Sequence, residues 1–120
     1  MQATWNVLER SAGPALQRAH DAGLLVIVKE GLANGRLSPR GDVQPLKEEA
    51  AKLGVTADVL ALAVVLAQPF ADVVLSGAAT MTQVASNLAA TQLPVAPDSL
   101  VELTVSPETY WAQRATLKWT

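Results

Sequence analysis

Two short stretches of this 120-residue chain hold the side chains and backbone best suited to chemistry. Lys29-Glu30-Gly31-Leu32-Ala33-Asn34-Gly35-Arg36 places two cations, a carboxylate and an amide around two glycines. Ser76-Gly77-Ala78-Ala79-Thr80 is a turn of small residues. Such a turn lets backbone approach a ligand closely, and the free N–H groups of a helix behind it form a natural seat for phosphate. Neither stretch alone separates a binding loop from an ordinary solvated turn. Acid, base and nucleophile are poorly supplied. His20, the one histidine, falls in an early helical stretch beside Arg18 and Asp21, where a surface or helix-end role is expected rather than catalysis. Tyr110, the one tyrosine, adjoins Trp111 close to the carboxyl end, and an aromatic pair in that place packs a tail onto the body of a protein. Glu48-Glu49 reads as an exposed helix face. With no cysteine, thiolate metal sites, disulfides and cysteine nucleophiles are excluded, and no other residues have metal-ligand spacing. The residues thus assign neither a catalytic group nor a metal site.

Flanking elements must hold these stretches in place. Leu24-Leu25-Val26-Ile27-Val28, bounded by Gly23 and Gly31, reads as a strand buried on both faces. Val73-Val74-Leu75 reads as a shorter one, starting after Pro69 and ending at Ser76-Gly77. Between them, residues 46–53 pattern as a half-exposed helix carrying Lys47, Glu48, Glu49 and Lys52. Residues 57–68 pattern as a second helix, with Thr56 as N-cap and Pro69 as stop. Val59, Leu60, Leu62, Val64, Val65 and Leu66 leave this second helix almost no polar face, so it must be sandwiched. Thr80-Met81-Thr82-Gln83 matches a capping box that opens a helix running to about residue 90. Upstream, residues 12–22 read as a helix preceded by a short strand near residues 4–7. The tail from Pro97 offers two helical pieces, the second opened by Ser106-Pro107. The resulting order, β, α, β, α, α, β, α, lacks hairpin turns between strands and points to parallel strands joined by right-handed crossovers. In such sheets ligands gather at the carboxyl ends of strands, where the two loops lie.

Composition narrows the function classes. Half the residues are hydrophobic and 17% are charged, which marks an interior-rich, folded chain of one domain. A net charge of −2, with nine basic residues dispersed along the chain, argues against nucleic acid as a partner. The longest apolar stretch, residues 59–67, is too short to cross a bilayer, and the first residues lack a signal pattern. A soluble protein without membrane contact, located in the cytoplasm, is the expectation.

Four stretches, in order and in register, resemble the aldo-keto reductases. Gln2-Ala3-Thr4-Trp5-Asn6-Val7-Leu8-Glu9 is similar to the family's sixth barrel strand, and residues 23–37, ending in Leu32-Ala33-Asn34-Gly35-Arg36-Leu37, to its seventh strand and following loop. Residues 57–69 resemble the alanine- and leucine-rich helix before strand eight. Ser76-Gly77-Ala78, with Gln83 and Asn87 in Asn87-Leu88-Ala89-Ala90, resembles the eighth-strand cofactor signature. The match runs from Gln2 to about Leu93. It implies an α/β fold, the carboxyl-terminal part of a (β/α)₈ TIM barrel with about three parallel strands and flanking helices, the barrel being incomplete. Residues 1–120 are then a partial oxidoreductase domain with a tail at residues 97–120.

The resemblance also implies a nicotinamide cofactor, NADP in most members, and hydride transfer to an aldehyde or ketone. By position, Gln2 would touch the nicotinamide amide, and Leu32, Asn34, Gly35 and Arg36 would lie along the pyrophosphate. Gly77, Ala78, Ala79 and Thr80 would face the adenosine phosphate, with Gln83 and Asn87 at the adenosine end and Asn87 reaching the adenine. Departures accompany the match. Lys29 stands where many members stack an aromatic residue on the nicotinamide, and Glu30 replaces a usual serine. Gln83 stands where arginine is frequent, and no lysine or arginine occurs between Leu53 and Gln113. A 2′-phosphate would lack its charged clamp, leaving NADP and NAD both open as cofactors. The family's catalytic tyrosine, lysine, aspartate and histidine belong to the first half of the barrel and have no counterpart here, so the chain is expected to be inactive alone. Exposed strand edges would then recruit the missing amino-terminal half or a second copy, and a non-catalytic assembly module is the alternative function.

Overall fold

Parallel pairing organises the molecule. The structure, a computed structural model, describes residues 1–117. Strands β1 (Gln2–Thr4), β2 (Ile27–Lys29) and β3 (Val73–Val74) form one sheet in the order β1-β2-β3. Gln2 pairs with Ile27 and Thr4 with Lys29, while Ile27 and Val28 pair with Val73 and Val74. Helix α1 (Gly13–Asp21) carries the chain from β1 to β2. Helices α2 (Gln44–Lys52) and α3 (Ala57–Leu66) carry it from β2 to β3, and α4 (Met81–Ala90) and α5 (Pro107–Ala115) follow. This is the expected α/β order.

Burial is one-sided. Residues in register share a face, so Ala3, Val28 and Val74 lie together and pack into the core with Leu16, Leu60 and Val64. The opposite face carries Gln2, Ile27 and Val73, and Leu25 and Leu75 continue its alternation. Gln2, Leu25, Val73 and Leu75 are exposed there. As anticipated, α3 is sandwiched: every residue from Ala57 to Val65 is buried, with Leu60 and Val64 in the main core and Val59, Leu62 and Ala63 against Ala90 of α4. Helix α4 is its opposite, leaving Met81, Val84 and Leu88 open to solvent.

Two local expectations need correction, and a third holds in position only. Residues 24–28 are not a strand buried on both faces, because Leu24 and Leu25 are 56% and 58% exposed and the ladder spans Ile27–Lys29. Leu24 instead closes α1: its N–H reaches the carbonyl of Ala19 and that of Gly23 reaches His20, a Schellman ending that uses the positive φ of Gly23. The strand placed near residues 4–7 is Gln2–Thr4. After Trp5 donates to the Lys29 carbonyl, Asn6 accepts the N–H groups of Leu8 and Glu9 on its side-chain oxygen and turns the chain away. Thr56 takes the N-cap position of α3 with an extended backbone, but its hydroxyl donates to Asp58 at 2.5 Å instead of accepting a backbone N–H. The capping boundaries at Thr80 and Ser106 stand as read. The last three residues of the tail, Trp119 among them, lie outside the described residues. No helix among the described residues is long and apolar enough to cross a membrane.

This one-sided burial makes a direct forecast. Leu60→Ala, in the α3 core, should lower unfolding free energy by about 3 kcal/mol, as is usual for a buried leucine. Leu88→Ala, on the bare side of α4, should change it by less than about 0.5 kcal/mol. Urea denaturation of the two variants checks the contrast, and equal losses would contradict it.

Candidate functional site

Both candidate loops emerge from the carboxyl ends of adjacent strands. After β3, Thr80 adopts an extended backbone and caps α4, its hydroxyl accepting the Gln83 N–H at 3.1 Å. The Gln83 side-chain oxygen in turn accepts the N–H groups of Ala79 at 2.7 Å and Thr80 at 3.2 Å. Asn87 donates from its amide to the Ser76 hydroxyl, which also accepts the Ala78 N–H. The turn 76–80 and the side chains of Gln83 and Asn87 are therefore one hydrogen-bonded unit. Its amides are not bare, because an anion at Ala79 or Thr80 has to replace the Gln83 carboxamide. Gly77 is exposed and meets nothing within 4 Å of a built Cβ, so there is room for a ligand at that point.

After β2 the backbone is held in an uncommon state. Glu30, Ala33, Asn34 and Gly35 all have φ between 51° and 92°, the left-handed region that disfavours side chains other than glycine's. Short-range bonds fix it: Ala33 donates to Glu30, Gly35 and Leu37 to Leu32, and Ser38 to Gly35. Gly31 lies against α3, where a Cβ would come within 3.1 Å of Leu62 Cδ2. Leu32 packs on the core, while Asn34 and Gly35 stand in solvent. Arg36 is engaged, with Nε 3.4 Å from Asp42 Oδ1 and Nη1 donating to Gln113 Oε1 at 3.0 Å.

Gln2 lies on the exposed sheet face, two residues back along β1 and two strands, about 10 Å, from β3. Lys29 shares that face, is exposed and forms no ion pair among the described residues. Of the residues selected from sequence, Gln83, Asn87 and the 76–80 turn are joined directly, and Leu32, Asn34, Gly35 and Arg36 form a second unit one strand away. Gln2 faces the sheet's open side. An open hollow of about 550 Å³ lies elsewhere, between the segment before α3 and the flank of α4, lined by Val55, Val59, Ser86 and Ala89. His20 lies at the other end of the sheet, 3.3 Å from Asp72, which also accepts the Val26 N–H at 2.9 Å. That N–H, with the smaller help of His20, holds the Asp72 carboxyl below its ordinary pKa. Among the described residues no three acidic or histidine side chains gather as a metal site.

A polar cluster at the loop's start was not read from sequence. Glu30 is held by Arg114 of α5 through Nη2 at 2.8 Å and Nε at 3.0 Å, and by the Tyr110 hydroxyl at 3.2 Å. Asn6 donates to the Glu30 carbonyl at 2.9 Å and to the Tyr110 oxygen at 3.1 Å, and Trp111 donates to Glu9 at 2.7 Å. The aromatic pair does fasten the tail, as expected, but through these bonds as well as by packing. Glu30 is not a solvated loop residue but the tail's anchor. The only trace in sequence is the i, i+4 spacing of Tyr110 and Arg114, which puts both on one face of α5. Burial pushes the Tyr110 hydroxyl up to about 12, the Glu30 charge adding to the rise and the Asn6 donor opposing it. Hydrogen bonding to Glu30 and its charge raise Arg114 as well.

Because the chain has one tyrosine, this cluster can be titrated cleanly. Phenolate absorbance should develop with a midpoint near pH 12. The raised folded-state value means that stability from Tyr110 is complete below about pH 10, its unfolded value, and is lost as pH climbs through the folded one. A midpoint near 10 would mean that Tyr110 is solvated. Asn6→Ala, which removes the donor that opposes the rise, should move that midpoint higher still, and should destabilise the fold by about 3 kcal/mol, since buried partners lose their bonds.

No family model matches the sequence, and no curated protein matches it. Solved structures do match in fold. One is a thermostable aldo-keto reductase, Tm1743, in complex with the inhibitor epalrestat: TM-score 0.71, 24% identity, covering 85% of this chain and 38% of that one. Another is the glycerol dehydrogenase AKR11B4 from Gluconobacter oxydans: TM-score 0.72, 16% identity, covering 99% of this chain and 44% of that one. The chain spans less than half the length of either. The resemblance to aldo-keto reductases thus holds at the level of fold, and the three-stranded open sheet corresponds to part of their TIM barrel.

Proposed function

We propose that this chain is the carboxyl-terminal, cofactor-binding portion of an NAD(P)-dependent aldo-keto reductase, and that alone it reduces nothing. One observation carries the reading. Gln2 and the two loops, 32–36 and 76–80, sit on the open face and the carboxyl end of one parallel sheet, the ligand side of such folds. The groups present suit a dinucleotide: an exposed glycine turn, a helix N-terminus bearing carboxamides, and a second glycine loop one strand away. When bound, the nicotinamide supplies hydride to an aldehyde or ketone in the complete enzymes. The residues of this chain bind and orient. Gln2 holds the carboxamide of the nicotinamide, Leu32, Asn34, Gly35 and Arg36 line the pyrophosphate, and Gly77, Ala78, Ala79 and Thr80 meet the adenosine phosphate beside Gln83 and Asn87. Residues 1–120 act as one partial domain with a tail from Pro97, in the cytoplasm.

Charge bears on which cofactor. The 76–80 turn and α4 carry no cation, Arg36 is shared between Asp42 and Gln113, and Arg114 is bound to Glu30. NADPH and NADH should accordingly bind with affinities within about tenfold, a difference below about 1.4 kcal/mol. Calorimetric titration of the folded chain with each measures the ratio. Gln83→Arg should raise the NADPH-to-NADH affinity ratio by about tenfold through a charge-assisted bond. A hundredfold NADPH preference in the unaltered chain would defeat the missing-clamp argument, and no binding of either would defeat the cofactor reading.

A second reading rests on the exposed sheet face and the two open edges of β1 and β3. Leu25, Val73 and Leu75, joined by Met81, Val84 and Leu88 on α4, favour an assembly role in which this surface takes the missing barrel half or another copy. Sedimentation should show mass rising with concentration. A monomer at every concentration would remove it.

A further inference from the structure

We infer that α5 is a clamp that sets the shape of the 30–36 loop, with Glu30 as a positioning residue for the ligand this loop meets. Both ends of the loop are gripped by a single turn of that helix. Glu30 accepts from Arg114 and Tyr110, and Arg36 donates to Gln113. Between those ends lie the left-handed residues Ala33, Asn34 and Gly35, and Glu30 itself is left-handed. Bonds inside the loop are short-range and do not anchor it to the body, whereas the bonds to α5 span 77 to 84 positions in the chain and hold it there.

Packing alone does not require this arrangement. The Tyr110 ring already fills the core, and α5 could cover it without a charged fork. A two-nitrogen grip on one carboxylate adds little stability where it is partly exposed, but it fixes direction closely. The Glu30 side chain is only 13% exposed, and its carboxylate stands at the start of the loop assigned above to the pyrophosphate. An unpaired carboxylate there would repel a phosphate, so Arg114 both aims the loop and neutralises its one acidic group. This last step rests on the cofactor reading; the clamp itself does not.

The test compares amide hydrogen exchange and NADPH titration in the full chain, its Arg114→Ala variant and its Arg114→Lys variant. Arg114→Ala should speed exchange of the amides of residues 31–37 at least tenfold with the α3 amides still protected, and weaken NADPH at least tenfold. Arg114→Lys, with the charge but without the fork, should recover part of the affinity and little of the loop protection. Unchanged loop exchange with α3 protected overturns the clamp. Faster loop exchange with unchanged NADPH affinity overturns the positioning role. Should α3 lose protection in Arg114→Ala, the lysine variant decides by the same loop criterion. If the unaltered chain binds no NADPH yet its loop exchange rises in the variants, the clamp stands and the cofactor reading falls.

Discussion

The architecture turns on the buried side chain of Asn6. Its amide nitrogen donates to the Glu30 carbonyl and to the Tyr110 oxygen, and its oxygen accepts the N–H groups of Leu8 and Glu9. One carboxamide thus ends β1, receives the chain leaving β2 and locates α5. No neutral side chain of similar volume other than asparagine offers two donors and two acceptors so close to the backbone. An aspartate could not donate, and a leucine would leave buried carbonyl and amide groups without partners. The polar cluster around it, with Glu30, Tyr110 and Arg114, is fully partnered, which is the condition under which buried polarity orders a fold rather than weakening it.

A second constraint follows from geometry. Three parallel strands with helices on one face cannot satisfy the other face or their outer edges from within. The exposed leucines and valines of the sheet and the apolar flank of α4 are the consequence, and residues 73–97 contain no charged side chain to oppose their burial. In a closed barrel the same face points inward and the same edges are paired. The features that suit a ligand and those that suit a partner are therefore neighbours on one surface, and filling the barrel axis would wall the site that Gln2 and Lys29 border.

Legibility in the sequence followed the range of the interaction. Capping chemistry is local, so Thr80 with Gln83 and Ser106 before Pro107 were readable. The apolar wrap of α3 announced its burial because no polar face remained. Strand limits were less readable, since a run of aliphatics looks alike whether its residues enter a ladder or close a helix, and the Schellman bonds of Gly23 and Leu24 decide between them. The candidate loops were legible as glycine-containing segments after strands, and the capping box implied that Gln83 occupies the Thr80 amide, but its hold on Ala79 was not legible. Of the tie between Glu30 and Arg114 the sequence carried only the spacing that puts Tyr110 and Arg114 on one face of α5, because the tie itself joins positions 84 apart.

Electrostatics divides the candidate site into unlike halves. Around β3 and α4 the polar groups are backbone amides, hydroxyls and carboxamides without charge, and under the proposed function these would select by direction and tolerate either form of the ribose. Around β2 the loop is framed by Lys29, Glu30, Arg36 and Arg114, three of which are already committed to protein partners. A ligand arriving at this end meets a region whose charges are largely balanced and whose backbone is already fixed, so that little reorganisation remains to be done. Under the proposed clamp, binding at such a site would draw its strength from order established at folding, with α5 holding the loop in the orientation that a dinucleotide would use.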